Sequence, residues 1–312
     1  MRKPRILIAG NSSIDLVSSV EAIPESGNVC ISGGNYSLSP GGKGACVSVA
    51  CARLGAEAIF CTRLGNDNYG KLLLDTFKSE NIDCRFVFLD SEEKTGFKQT
   101  INEFGGNSHS IFFPCANKKL SLENIEESFT SYPDALLIQC ETEPSAIKYA
   151  MVSANRQEIP VFFDLSHKKD GLEGVFKAEC EIVFAGEDEA EYYTGIFPGN
   201  TDSCLRAAIS LYKSIKTKFV VINLKDRGCY IYDGIHQELI QPLDVRAADY
   251  ACSDDAFVSA LVTRYMQNGS DISDAARFAN CVRAYSVINP GKFESLPTLE
   301  QLESFINSYL ER

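Results

Sequence analysis

The stretch Asp249-Tyr250-Ala251-Cys252-Ser253-Asp254-Asp255-Ala256-Phe257 leads into an apolar run, Ala256 to Met266, that reads as a helix. Asp255 then stands at a helix N-terminus, behind a short loop. Unpaired backbone N–H groups and the positive end of the helix dipole make such a terminus an anion site. A carboxylate beside an anion-binding nest can accept a proton from a group that attacks a bound phosphate.

A second glycine-rich turn, Pro40-Gly41-Gly42-Lys43-Gly44-Ala45, leads into a helical segment, Gly44–Leu54. Glycines let backbone N–H groups approach a ligand, and Lys43 adds a positive charge. Taken alone, such a turn is equally a structural one.

Between these stretches, short apolar runs alternate with helical patterns. The strand candidates are Arg5–Ala9, Ala58–Thr62, Ala135–Gln139, Val161–Asp164, Ile182–Ala185, Phe219–Asn223 and Gly228–Tyr232. The helical segments include Gly70–Glu80, Glu143–Arg156 and Thr201–Ile215. This alternation predicts an α/β fold with a mostly parallel sheet covered on both faces, and a site at the carboxyl ends of its strands. Asn28–Ser39 and Thr95–Phe113 depart from it. They are rich in Ser, Thr, Asn and Gly, and Gly105-Gly106-Asn107 is a good hairpin turn. They predict antiparallel strands outside the main sheet: surface hairpins, or a lid. Near the end, Ile272–Ile288 carries an apolar face with Ser270 as a candidate N-cap, and Thr298 to Gln301 has the capping-box pattern.

The chain has 312 residues, 45% hydrophobic and 23% charged, which suits a large globular core. Its net charge of −12 argues against nucleic acid and anionic membrane surfaces as partners. No run approaches the roughly 20 apolar residues of a membrane span. The apolar residues after Arg5 are too few for a signal peptide. The twelve cysteines include no C-x-x-C pair and mostly sit in apolar stretches, so the expectation is a reduced, cytoplasmic protein without a zinc site.

Gly41 to Ala56 follows the pattern G-G-K-G-A-N-x-A-x-A-x-x-L-G, and Asp249 to Phe257 follows D-T-x-G-A-G-D-A-F. Together they resemble the two signatures of the ribokinase-like sugar kinases, the PfkB family, and the resemblance runs over nearly the whole chain. It implies a three-layer α/β/α fold, 1–312 as a single domain, with a small β lid formed by about 16–39 and 95–113. It implies ATP and magnesium as cofactors, with potassium as a candidate second cation, and a homodimer formed through the lid.

The resemblance also implies roles. Asp255 would be the base that deprotonates the acceptor, and Cys252, Ser253 and Asp254 would form an anion hole. Asp15, Gly41, Gly42, Lys43 and Glu141 would hold the sugar. Glu189, in Glu187-Asp188-Glu189-Ala190, would hold hydrated magnesium, although an acidic helix start explains it as well. Asp249 would bind a monovalent cation. Asn223, Lys225, Gly228 and Asn280 would lie beside the nucleotide; Lys225 reads either as a phosphate ligand or as a surface lysine.

Several positions depart from the pattern. Ser13, Cys46 and Gly186 stand where the family has Asn, and Cys252 and Asp254 where it has Gly. A carboxylate about 5 Å from a phosphate charge costs about 3 kcal/mol at an effective dielectric of 20. The expected function is ATP-dependent phosphorylation of a sugar or sugar-like alcohol. The alternative is a weak or inactive member that binds a sugar or nucleotide as a sensor or assembly subunit.

Overall fold

The computed structural model describes residues 2–166 and 169–311. Its strands are Arg5–Ala9 (β1), Ser13–Val20 (β2), Tyr36–Gly41 (β3), Glu57–Gly65 (β4), Val87–Asp90 (β5), Phe97–Glu103 (β6) and Ser108–Phe113 (β7), then Ala135–Gln139 (β8), Val161–Asp164 (β9), Cys180–Gly186 (β10), Thr217–Asn223 (β11), Cys229–Tyr232 (β12) and Gln237–Ile240 (β13). The α-helices are Lys43–Arg53 (α1), Asn68–Ser79 (α2), Leu122–Ser128 (α3), Pro144–Arg156 (α4), Glu187–Thr194 (α5), Thr201–Ser214 (α6), Ser253–Gln267 (α7), Ile272–Ile288 (α8) and Leu299–Leu310 (α9).

A nine-stranded sheet runs in the order β13-β12-β11-β10-β9-β8-β1-β4-β5. It is parallel except at the β11–β12 and β12–β13 pairs. Alternate residues of its strands enter two separate cores. Ile6, Ile8 and Leu137 face α1, α7 and α8, whereas Leu7, Leu136 and Ile138 face α3, α4 and α6. This accounts for the continuous apolar runs in the sequence, because a strand covered on both faces has no polar side. Helix α7 is nearly apolar all round because α1 and α8 flank it while it lies on the sheet; Phe257, Leu261 and Val262 are fully buried. Truncating Phe257 to Ala would cost about 3–5 kcal/mol.

The chain leaves β1 for β4 on one side and later returns to its other side with β8. That reversal opens a crevice at the carboxyl ends of the strands.

A separate four-stranded sheet, β3-β2-β6-β7, stands beside this crevice. The expectation of purely antiparallel strands is corrected here: β2 and β6 pair in parallel. They can, because a long excursion through α1, β4, α2 and β5 separates them in sequence. Within Asn28–Ser39 only the part from Tyr36 onward is strand. The predicted turn closes the β6–β7 hairpin, with Gly106 N–H donating to Glu103 O at 2.9 Å. Strands β5 and β13 were not predicted. Both are short and partly exposed, without a sustained apolar run. The N-cap of α8 is Asp271 rather than Ser270; its carboxylate accepts from the N–H groups of Ser273 and Asp274. Ser270 instead has φ 68°, in the preceding left-handed turn. The capping box of Thr298 and Gln301 forms as its spacing predicts. Among the described residues, no helix is long and apolar enough to cross a membrane.

Candidate active site

Strand ends and helix starts converge in the crevice. Gln139 closes β8, Asp164 closes β9, Lys43 opens α1, and Asp255 lies in the first turn of α7. Lys43 Nζ donates to Asp255 Oδ1 at 3.1 Å. Gln139 Nε2 bridges Asp164 Oδ2 at 3.2 Å and Asp255 Oδ1 at 3.5 Å.

Asp255 is only 4% exposed. Burial pushes its carboxyl up to about 7; Lys43 opposes the rise, while Asp164 and Glu141 add to it. Burial works against the Lys43 ammonium, yet Asp255, Asp164, Glu141 and Asp254 together hold it well above the ordinary lysine value. The two shifts agree once the count is made: one ammonium serves several carboxylates. Lys43 therefore stays charged, and Asp255 stays near neutrality.

On one side lies a cavity of about 380 Å³ lined by Asp15, Lys43, Lys98, Glu141, Asp255 and Lys292. Asp15 is 2% exposed. Its carboxylate accepts from Ser13 Oγ at 2.6 Å and from the Lys292 ammonium. Lys292 was not predicted. It follows α8 on a turn fixed by Asp249, whose Oδ2 accepts from Gly291 N–H at 3.0 Å. Burial pulls its ammonium down to about 8, while the adjacent Asp15 carboxylate favours the charged form. Glu141 lies above the usual carboxylate range through burial, with Lys43 and Lys98 pulling it back.

Two glycines make this geometry. A Cβ on Gly41 would stand 2.7 Å from Asp15 Oδ1, and one on Gly42 would stand 2.7 Å from Asn11 O. Gly42 also has φ 94°, which L side chains rarely adopt.

On the other side a cavity of about 150 Å³ is lined by Lys43, Asp164, Ser166, Glu189, Asn223 and Asp254. Asn223 Nδ2 donates to Asp254 Oδ1 at 2.9 Å, so an expected nucleotide residue contacts the carboxylate that stands where the family has Gly. Ser166 Oγ is buried with no hydrogen-bond partner among the described residues. Glu189 leans into the space left by the missing side chain at Gly186; a Cβ there would lie 2.5 Å from its Oε2. The segment expected to form the anion hole needs no glycine for its backbone. Cys252 has φ −124°, and neither it nor Asp254 has positive φ. Ser253 N–H, however, donates to Tyr250 O at 3.2 Å.

The predicted nucleotide residues separate. Asn280 lines a further cavity of about 350 Å³ with Asp226 and Arg283 and donates to Gln241 O at 2.9 Å. Arg283, also not predicted, is buried; its Nε has no partner among the described residues, and its guanidinium lies 6.0 Å from the Tyr250 ring centre. Gly228 is the hairpin glycine before β12, with φ 86°, where a Cβ would meet Ile240 O. Lys225 faces Glu187, 3.9 Å away. Asp249 braces its own loop, since its Oδ1 also accepts from Ala251 N–H at 3.0 Å.

A further cavity, about 690 Å³, lies at the amino ends of β9, β10 and β11, beside Val161, Cys180 and Thr217. It is remote from these residues.

The pattern of pfkB family carbohydrate kinases matches residues 3–299. The chain belongs to the pfkB family of carbohydrate kinases. This kinase is 29% identical to a ribokinase of Haemophilus influenzae over 98% of its own length and 99% of that protein's. The ribokinase of Thermotoga maritima superposes with a TM-score of 0.85 at 26% identity, covering 97% of this chain and 99% of that one. An Arabidopsis thaliana ribokinase complexed with ribose and ATP superposes with a TM-score of 0.88 at 20% identity, covering 98% and 99%. The kinase thus has the three-layer ribokinase fold with a small separate sheet.

Proposed function

We propose that this kinase transfers a phosphoryl group from ATP to a primary hydroxyl of a small, uncharged sugar or sugar-like alcohol. One observation carries the reading: Lys43 lines both main cavities, and Asp255, which it binds, faces the larger one while Asp254 faces the smaller. Acceptor and donor would meet across that ion pair.

The larger cavity sets three lysines, Lys43, Lys98 and Lys292, against three carboxylates, Asp15, Glu141 and Asp255. Hydroxyls both donate and accept, so a neutral polyol suits such a balanced lining better than a sugar phosphate does. Asp255 takes the hydroxyl proton, and its raised pKa matches a base working near neutral pH. Lys43 holds the charge of the base and of the incoming phosphate. Asp15, Gly41, Gly42 and Glu141 position the acceptor.

The donor side fits hard cations and phosphate: the carboxylates of Asp164, Glu189 and Asp254 share one cavity with the Ser166 hydroxyl, which has no partner among the described residues. Magnesium held by Glu189 and its neighbours would neutralise the phosphates. The first turn of α7, from Cys252 to Asp254, would act as the anion hole, and Asn223, Asn280 and Arg283 would lie along the nucleotide. We assign Lys225 and Gly228 to shaping the loop there. For potassium, each carboxylate oxygen of Asp249 already accepts a backbone N–H; we give Asp249 the bracing role and derive no step through a monovalent cation.

We treat residues 1–312 as one domain whose small sheet closes over the acceptor as a lid, because Lys98, Ser110 and Phe112 from that sheet line the cavity. Its edge strands expose Tyr36, Leu38, Ile111 and Phe113, which supports a homodimer through the lid. Buried, unpaired cysteines support a reducing, cytoplasmic setting.

A second reading, a sugar- or nucleotide-binding member with little turnover, draws on the exposed Asp254 carboxylate at the start of α7 and the committed Ser253 N–H. Coupled ADP release from ATP and magnesium against a panel of sugars, nucleosides and sugar phosphates separates the two. Turnover with a neutral sugar supports the kinase. Calorimetric sugar binding without turnover supports the second reading. Asp254→Gly then reports on the anion hole. It should raise kcat most at low magnesium if the carboxylate repels phosphate, and lower kcat if Asp254 helps hold the cation.

The pH profile gives a further test. Asp255 must be ionised to act, so kcat/KM should fall about tenfold per unit below a limb near pH 7. Lys43→Met removes the cation that restrains the rise and should move the limb to higher pH. A limb below pH 5 in the unaltered protein would remove Asp255 from the base role.

A further inference from the structure

Cys46 and Cys252 are 206 residues apart in sequence, yet their sulfurs lie 3.1 Å apart. Both side chains are 2% exposed. A carboxylate oxygen of Asp255 lies within 4.8 Å of both sulfurs. Among the described residues this is the one cysteine pair in sulfur–sulfur contact; Cys51, Cys61, Cys180 and Cys204 contact backbone carbonyls instead. Cys46 lies one turn after Lys43 in α1, and Cys252 is the N-cap of α7, three residues before Asp255. The contact thus joins the two helix starts that carry the ion pair. Cys46 also lines the larger cavity, which opens a path for a small reagent.

We propose that Cys46 and Cys252 are a modification site for a peroxide, forming a reversible disulfide that shuts the phosphoryl-transfer site. The Cys46 sulfur attacks one peroxide oxygen and the O–O bond breaks. Cys46 becomes a sulfenic acid, and its thiol proton leaves with the departing hydroxide as water. The Cys252 sulfur then attacks the sulfenic sulfur, the S–O bond breaks, and the hydroxide leaves with the second thiol proton as water. Two thiols are oxidised by two electrons, and one peroxide is reduced to two waters. A disulfide needs the sulfurs about 1 Å closer than they now stand. That shift pulls the N-cap of α7 toward α1, and a displacement of about 1 Å at a catalytic group can cost about 100-fold in rate. An acceptor in the cavity covers Cys46 and should slow the reaction.

Only the predicted loss of turnover rests on the proposed kinase reaction; formation of the bond does not. The test treats the full chain with graded hydrogen peroxide, digests it without reductant, and reads the peptides by mass spectrometry. A peptide linking Cys46 to Cys252, lost on treatment with dithiothreitol, is the expected result. ADP release should fall at least about tenfold with the same dose dependence and recover with the reductant. Cys46→Ala and Cys252→Ala should each lose the linked peptide, and each, compared with its own untreated sample, should keep its turnover. Oxidation confined to exposed Cys30, or sulfinic acid at Cys46 with no linked peptide, overturns the proposal. A linked peptide with undiminished turnover overturns the shut-off. If the untreated protein turns over no acceptor, the proposed kinase reaction fails, while the linked peptide still decides the disulfide.

Discussion

Asp255→Asn lowers kcat by at least about 100-fold, the low end for loss of a general base. The amide keeps the shape and can still accept a hydrogen bond from Lys43, so acceptor affinity should stay within about twofold, a change of about 0.4 kcal/mol. The same variant should behave oppositely in stability. Burial raises the folded pKa of Asp255 to about 7, well above an unfolded aspartate at about 3.9. The folded state therefore binds this proton more tightly than the unfolded chain. Its contribution to stability is most favourable below about pH 4 and is lost as pH rises through about 7. An uncharged amide escapes that loss, so Asp255→Asn should match or exceed the unaltered protein in denaturant midpoint at pH 8. Turnover within a few-fold of the unaltered protein would remove Asp255 from the base role. A large loss of stability at pH 8 would show that the carboxylate is chiefly structural.

Asp15→Ala weakens acceptor binding by about 10- to 150-fold and leaves ATP binding nearly unchanged; the range follows from about 1.5–3 kcal/mol for a hydrogen bond to a charged group. The variant should also lose stability, because Lys292 would remain half-buried without its carboxylate. Adding Lys292→Met to Asp15→Ala should restore some stability without restoring acceptor affinity. Calorimetry with the best acceptor, together with a denaturation series, measures both. Acceptor affinity within twofold of the unaltered protein would reduce Asp15 to a turn residue.

Much of the fold could be read from local pattern. Apolar runs such as Ala135–Gln139 and Val161–Asp164 are continuous because strands buried on both faces have no polar side, so each was recognisable by itself. The helix of Ala256–Met266 was legible for the same reason, and the capping box at Thr298 because its partners lie three residues apart. Strands β5 and β13 lacked such a signal, since edge strands are short and half-exposed. The parallel β2–β6 pairing left no local trace either, because nothing in either strand records which neighbour it meets.

The same division runs through the site. Sequence alone determined the residue types at two helix starts, Lys43 after its glycines and Asp255 before its apolar run, because helix termini and glycine turns are short-range features. Only the tertiary structure decided what those groups meet: Asp164 and Gln139 beside Asp255, Lys292 against Asp15, Asn223 against Asp254, and Cys46 against Cys252. These contacts join positions 25 to 277 residues apart. A side chain's pKa, its partner and its reactivity depend on burial and on charges a few ångströms away, and both arise only when the sheet brings its strand ends together.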